Sequence, residues 1–287
     1  MHMLLTEVTE NLARRSMDTW RPAYGSSPAN QETRATAVLK RSDKVTPWGE
    51  APMTVVWKAS GLLYVATLEH ARAAARLMVP PFRLWAPSAE VRAALESAGQ
   101  ILWLLDPKVP SGKQRVARYY TMRLYAARQF EYTFSKLSAG GQLHEYGMPA
   151  AAVEAEAAMF ELEPVTNKHG LTIGYEKLQM PHIDDLVQEV VGGNGTYSLL
   201  SGSTHSEFWS LLSGHRGQEP SPLGVTENQH EAEAESYVPC LSRVCASALQ
   251  VDRQGVLDLR PPRTCQRSEP GTREGRRGDG SLTPLPL

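Results

Sequence analysis

The 287-residue chain lacks the features by which several classes of protein are identified from sequence. It has no apolar run of about 18 residues or more, so we expect no transmembrane helix and no membrane partner. Its three cysteines, Cys240, Cys245 and Cys265, form no C-x-x-C pair and have no histidine at a metal-ligand spacing. Glu-x-x-His motifs, which build di-iron sites in helical bundles, do not occur as a pair. We therefore predict no metal site and no cofactor.

The chain also lacks an excess of charge of either sign. Thirty basic and 31 acidic residues give a formal net charge of -1, so bulk charge indicates neither a nucleic acid nor an anionic membrane as partner. Any such partner would need a local basic patch. Residues 1–15 lack the basic, apolar and small-residue zones of a secretory signal, so we expect the protein in the cytoplasm.

What the chain does contain is a helical pattern. Strand-like alternation is scarce, whereas the three-four spacing of apolar residues that is typical of amphipathic helices recurs from Thr54 onward. It predicts three long helices, which are ended by segments rich in Pro or Gly. They span residues 54–77, 88–105 and 111–138.

The second half of the pattern predicts one more long helix and several short ones. Short helices are expected over residues 149–164 and 183–191, with a turn-rich connector at 167–182 between them. The further long helix begins at Tyr197, and a last helix begins at Thr226, where a capping box occurs. We expect an all-α fold, a helical bundle of four long helices plus short extra helices.

The composition divides the chain into three parts. Residues 1–53 show no sustained period, so we expect a flexible, disordered N-terminal arm. The helical-bundle domain is expected over residues 54–238. Residues 239–287 contain every cysteine, no lysine, and frequent Pro and Gly, which indicates a disordered C-terminal tail or a frame-shifted translation appended to a truncated last helix.

Candidate catalytic residues lie on two of the predicted helices. Tyr197, Ser201 and His205 are four residues apart, on one helix face that also carries apolar residues. On the second predicted helix, Arg92 and Glu96 share the same spacing; if half-buried, the pair can orient a partner such as His205 or Ser201. The functional interpretation is a general acid–base site of Arg92, Glu96, Ser201 and His205. The structural interpretation is a hydrogen-bonded core histidine and a solvated ion pair.

Candidate binding residues come from the one basic and aromatic run, KQRVARYYTMRLYAARQF. Arg115 and Arg118 fall on one helical side with Tyr119, and with Tyr197 they are candidates to contact phosphates and stack on bases. Arg123 falls nearer the apolar edge, so we predict that it pairs with a carboxylate inside the bundle. The alternative is that these arginines cover the helix surface with their stems.

Three segments of the chain resemble known helical proteins. VRAALESAGQILWLLDP, RVARYYTMRLYAARQFEY and YSLLSGSTHSEFW resemble uncharacterised actinobacterial helical-bundle proteins. More distantly, they resemble the HEPN-like bundles of toxin–antitoxin, abortive-infection and RNA-processing systems. The resemblance spans about Thr54 to Tyr237 and implies a helical bundle. Active HEPN ribonucleases carry an Arg followed by His with four to six residues between them, and no His of this chain has an Arg at that offset.

Three functions follow from these patterns. The one we expect is a non-catalytic HEPN-like module that binds a nucleotide, RNA or a protein partner such as an antitoxin, with a homodimer left open. The alternative enzyme is a metal-independent endoribonuclease of a toxin–antitoxin or defence system, with His205 as general acid–base and Arg92 at the scissile phosphate. The third possibility is a purely structural bundle.

Overall fold

Helices make up most of this fold. The computed structural model describes residues 28–40, 47–78, 86–109, 111–137, 149–192, 200–201 and 237–247, with Glu7 and Tyr197 as single positions. The helices are α1 (Pro28–Ala37), α2 (Ala51–Leu77), α3 (Ala86–Leu105), α4 (Gly112–Leu137), α5 (Ala150–Met159) and α6 (Ile183–Val191). Residues 237–247 are also helical.

The three long helices predicted from the apolar spacing are confirmed as α2, α3 and α4, and the two short ones as α5 and α6, except that α5 ends at Met159 and not at residue 164. The glycine stop predicted after α6 is also confirmed, because Gly192 adopts the left-handed conformation there. Of the long helix predicted from Tyr197, the described residues Tyr197, Leu200 and Ser201 are helical. The rest of that helix, and the helix predicted from Thr226, lie outside the described residues.

Buried apolar side chains form two core clusters. The first core cluster lies among α2, α4, α5 and the end of α3, and includes Tyr64, Leu104 and Leu124. The second core cluster joins the C-terminal half of α2 to α3, α6 and residues 237–247, and includes Leu95 and Val187. Helix α3 therefore contributes to both clusters, and the candidate site residues Arg92 and Glu96 stand on it. In the described residues no helix is long and apolar enough to cross a membrane.

The prediction of an all-α fold is corrected by a small sheet. An antiparallel sheet of β1 (Pro164–Thr166), β2 (Thr172–Tyr175) and β3 (Leu178–Gln179), in that order, begins at the end of the helix predicted over residues 149–164 and continues through the turn-rich connector. The side chain of Asn167 accepts hydrogen bonds from the backbone N–H groups of His169 and Leu171, which shapes the first turn. Strands of two to four residues are too short for apolar alternation to show in the sequence.

The predicted boundary of the N-terminal arm at residue 53 is also corrected. Helix α1 packs against α2 and α4, Trp48 is buried, and α2 itself begins at Ala51. The residues that α1 buries are Ala29, Thr33 and Thr36. Because these are small or polar, α1 has no apolar period that the sequence could reveal.

The predicted start of the tail at residue 239 falls inside a packed helix. Within residues 237–247, Leu241 and Val244 are fully buried and belong to the second core cluster. The body of the fold therefore includes these residues. Residues 248–287, the remainder of the predicted tail, lie outside the described residues, so the frame-shift hypothesis for residues 239–287 stays a prediction.

Candidate functional site

The candidate site is a polar cluster around Arg92, on the solvent-facing edge of the second core cluster. Helix α3 places Arg92 and Glu96 one turn apart, and Arg92 Nε donates a hydrogen bond of 2.7 Å to Glu96 Oε1. Arg92 Nη2 donates to the Tyr197 hydroxyl at 2.6 Å, and Arg92 Nη1 donates to Ser201 Oγ at 3.3 Å. The guanidinium also lies 4.8 Å from the centroid of the Tyr197 ring. All three guanidinium nitrogens thus have partners within the chain.

Burial and charge fix the protonation states in this cluster. The Arg92 side chain is 18% exposed. Burial lowers the pKa of Arg92, but the hydrogen bonds and charges of Glu96 and Tyr197 together outweigh burial, so that this pKa lies above its ordinary value. Burial and the charge of Glu96 raise the pKa of Tyr197, against the opposing effect of Arg92. The cluster therefore contains a permanent cation and a neutral phenol, and neither is an acid–base group near neutral pH.

The structure brings together four of the predicted site residues from distant parts of the sequence. Arg92 and Glu96 meet Tyr197 and Ser201, which lie more than 100 residues later in the chain. Arg92 of this half-buried ion pair contacts Ser201, one of the two partners that the sequence offered for it. The fourth candidate catalytic residue, His205, lies outside the described residues, so its role stays a prediction.

The arginines of the predicted binding set are engaged inside the molecule. Arg115 is 7% exposed, and its Nε lies 2.9 Å and 3.2 Å from the two carboxylate oxygens of Glu32. Its Nη1 donates to the backbone carbonyl of Leu104 at 3.0 Å, and its guanidinium lies 5.8 Å from the Trp57 ring. Arg118 donates to the carbonyl of Trp103, and lies 3.5 Å from Asp106 Oδ2.

These contacts give Arg115 and Arg118 a shared structural role. Trp103 and Leu104 belong to the last turn of α3, where backbone carbonyls have no partner within the helix. That turn carries no basic residue of its own. The two arginines of α4 satisfy its carbonyls and offset the negative end of the helix dipole. They therefore cap α3 from the neighbouring helix.

Arg123 pairs with a carboxylate, as predicted, and also contacts the ring of Tyr119. Arg123 Nη1 donates to Glu156 Oε2 at 2.5 Å, which confirms the predicted pairing with a carboxylate, although the Glu156 side chain is 35% exposed and does not lie inside the bundle. Its guanidinium lies 5.4 Å and 5.5 Å from the rings of Tyr119 and Tyr120. Tyr119 thus packs beside Arg123 instead of extending a surface with Arg115 and Arg118.

Two polar contacts at helix junctions were not foreseen from the sequence. His70 Nδ1 lies 2.8 Å from Glu90 Oε2 and links α2 to α3. Glu32, which holds Arg115, lies in a segment that was expected to be disordered. Neither pairing has a sequence signal, because the partners are 20 and 83 residues apart. In the part of the chain that the structure describes, no three His, Cys, Asp or Glu side chains are grouped to hold a metal ion.

Comparison of the chain with protein-family models, with curated proteins and with solved structures finds no match in any of the three. The site is therefore interpreted from its own geometry.

Proposed function

We propose that the chain is a non-catalytic, HEPN-like cytoplasmic module that binds a protein partner. The observation that carries this proposal is the full engagement of Arg92 by Glu96, Tyr197 and Ser201. A phosphate anchor presents an open edge of its guanidinium fork to the ligand. In this chain, the N–H groups of the Arg92 guanidinium already donate to the Glu96 carboxylate, the Tyr197 phenol and the Ser201 hydroxyl.

In this proposal, the Arg92 cluster is a joint between helices. It links Tyr197 and Ser201, which belong to the predicted fourth long helix, to the middle of α3. That helix would complete the four-helix bundle that the sequence predicts. Arg115 and Arg118 support the same conclusion, because their guanidinium groups are committed to Glu32, Asp106 and the end of α3.

The exposed surface favours a protein over RNA as the partner. Tyr125 and Tyr132 are 50% and 59% exposed, and lie seven residues apart on one face of α4. Leu62, Met159 and Leu171 are also more than half exposed. Tyrosine and methionine are enriched at protein interfaces, whereas RNA binding relies on exposed cations.

The proposal is tested by co-expression of the chain with the product of the gene that neighbours its own, followed by size-exclusion chromatography with light scattering. We expect a stable complex of defined stoichiometry. A Tyr125→Ser/Tyr132→Ser variant should weaken the complex, and Lys58→Ser, which changes an exposed residue of α2, should leave it intact. Two proteins that elute separately at micromolar concentration would contradict a partner encoded there.

A second candidate function is the metal-independent endoribonuclease. The 3.3 Å contact between Arg92 and Ser201 favours it, because Ser201 precedes His205 by only four residues in the sequence. The test is cleavage of a labelled single-stranded RNA in the presence of EDTA. If the chain is an enzyme, the His205→Ala and Arg92→Gln variants should each cleave RNA about a hundredfold more slowly than the wild type, or slower still. The Arg34→Gln variant should cleave at the wild-type rate. We expect no cleavage by any of these proteins above the buffer control.

A further inference from the structure

Helix α1 lies in a groove between α2 and α4, and the face that it buries there is unusual for a core helix. The buried residues are Ala29, Thr33 and Thr36, at positions i, i+4 and i+7 of one face. None of them is a large apolar side chain. Hydrophobic stabilisation scales with the apolar area removed from water, so α1 is held less firmly than the long helices.

Directional polar contacts hold α1 in the groove instead. Both carboxylate oxygens of Glu32 face Arg115 Nε, and the guanidinium is fixed from its other side by the Leu104 carbonyl. The indole N–H of Trp57 donates to Thr33 Oγ1 at 2.8 Å. The groove thus presents two preorganised donors, one on each long helix, to whatever helix lies in it.

The close approach at Gly112 restricts which helix fits. A Cβ atom at Gly112, the first residue of α4, would lie 1.7 Å from Thr36 Oγ1. The third contact position of the incoming helix therefore meets bare backbone, and has room for a small side chain. Together, the contacts define the sequence pattern small-x-x-Glu-small-x-x-small, which α1 satisfies with Ala29, Glu32, Thr33 and Thr36.

We infer that this groove binds a helix of the partner protein that carries the same pattern, and that α1 occupies it as an internal competitor. This inference rests on the proposed protein-binding function. An amphipathic helix seated in a groove is a common mode of recognition. A ten-residue helix is marginal by itself in water, so α1 depends on the groove for its own stability. RNA fits the groove less well, because Arg115 alone would neutralise a single phosphate.

The experiment uses the full chain and a fluorescein-labelled, acetylated peptide of residues 28–40 as the probe. The variant Glu32→Lys places a second cation against Arg115 and releases α1, while the walls of the groove stay unchanged. Fluorescence anisotropy should show that this variant binds the peptide at least tenfold more tightly than the wild type, whose groove is filled. A probe peptide carrying Glu32→Gln should lose most of that binding. Arg34→Glu, on the exposed side of α1, is the matched control and should bind like the wild type.

A second variant covers the case in which Glu32→Lys does not fold. Thr33→Val removes the acceptor of Trp57 without changing side-chain volume, and should also bind the peptide more tightly than the wild type. Equal binding by the wild type and whichever variants fold, as judged by circular dichroism, would overturn the inference. So would binding of a short single-stranded RNA by the released variants in place of the peptide. These results would not bear on whether the chain forms a complex with the neighbouring gene product. The inference about the groove can therefore be refuted while the proposed function is still supported.

Discussion

At the scale of single residues, the fold depends on a buried arginine, Arg115, and a half-buried one, Arg92, which join different elements. Arg115 connects α4 to Glu32 of α1 and to the end of α3, and Arg92 connects α3 to Tyr197 and Ser201. A buried charge that loses its partner is costly, whereas an exposed one is not. Substitutions at these arginines should therefore affect stability before they affect any activity.

The first prediction concerns Arg115. Arg115→Gln leaves the Glu32 carboxylate and the Leu104 carbonyl without their donor, and we expect a loss of about 2 to 4 kcal/mol in the free energy of unfolding. Chemical denaturation measured by circular dichroism checks this value. Lys58→Gln, on an exposed position of α2, should change stability by less than about 0.5 kcal/mol. Equal denaturation midpoints for the two variants would show that the contacts of Arg115 with Glu32 and Leu104 do not stabilise the fold.

The second prediction concerns Tyr175, which is buried on β2. Burial first, and then the charge of Glu154, raise the pKa of Tyr175 to about 12. Among the described residues, its hydroxyl has no hydrogen-bond partner. The folded state keeps this proton more firmly than the unfolded state, whose pKa is about 10. This group therefore leaves stability unchanged below about pH 10, and stability falls as the pH rises from 10 toward 12, because the unfolded state then loses the proton first.

Tyr175→Phe should remove that part of the pH dependence. Urea denaturation at intervals from pH 8 to pH 11 should show a smaller fall in stability for the variant than for the wild type. Near pH 8 the variant should be as stable as the wild type or more stable, because a buried hydroxyl without a partner contributes nothing. A large loss of stability near pH 8 would reveal a hydrogen bond to Tyr175.

At the scale of the elements, the sequence predicted those helices that bury large apolar side chains at regular spacing. Helices α2, α3 and α4 meet this condition, and their bounds were predicted to within three residues or fewer. Helix α1 does not, because it docks through Glu32, Thr33 and Thr36 and not through an apolar stripe. The sheet of β1, β2 and β3 was missed for a related reason, since its strands are too short to carry a period.

The candidate site was predictable in part. The four-residue spacings identified Arg92 with Glu96 and Tyr197 with Ser201 as pairs on their own helices. The Arg92–Glu96 pair was expected to contact a polar residue of another helix only if it was half-buried. The sequence does not show whether it is half-buried, because that depends on how the helices pack. For Arg115 and Arg118, the sequence showed that the side chains are charged. It did not show that their N–H groups donate hydrogen bonds to backbone carbonyls in the last turn of α3.

The third prediction concerns the contact between α3 and α6. A Cβ atom at Gly99 would lie 2.9 Å from both the Cβ and the carbonyl oxygen of Leu186. Since backbone cannot rotate away, Gly99→Ala should force the two helices apart and cost about 1 to 3 kcal/mol, despite the better helix propensity of Ala. Ser97→Ala, on the same helix, should be within about 0.5 kcal/mol of the wild type. Thermal unfolding of the two variants, compared side by side, checks the difference.

The fourth prediction tests residues 237–247 as part of the core. Leu241 is fully buried in the second core cluster, so Leu241→Ala should cost about 2 to 4 kcal/mol. Arg243→Ala, on the exposed side of the same helix, is the control. Denaturation midpoints that do not differ between the two would indicate that the predicted tail does begin at residue 239.

At the scale of the whole molecule, the folded body extends beyond residues 54–238 at both ends. A chain shortened to residues 54–238 would lose α1, the buried Trp48, and Leu241 with Val244. We expect that chain to melt at a lower temperature and to bind a hydrophobic dye, whereas residues 28–247 should match the full chain. Equal melting temperatures for the two shortened chains would indicate that the folded domain is limited to residues 54–238, as predicted from composition.

The position of Arg115 has a consequence for the order of folding. Its contacts require α1, α3 and α4 to be in place together, and Glu32 is 83 residues away in sequence. Closing a loop of that length costs entropy that must be compensated by other contacts first. The Glu32–Arg115 pair should therefore form after the main folding barrier. In stopped-flow measurements Glu32→Gln should raise the unfolding rate and leave the folding rate nearly unchanged.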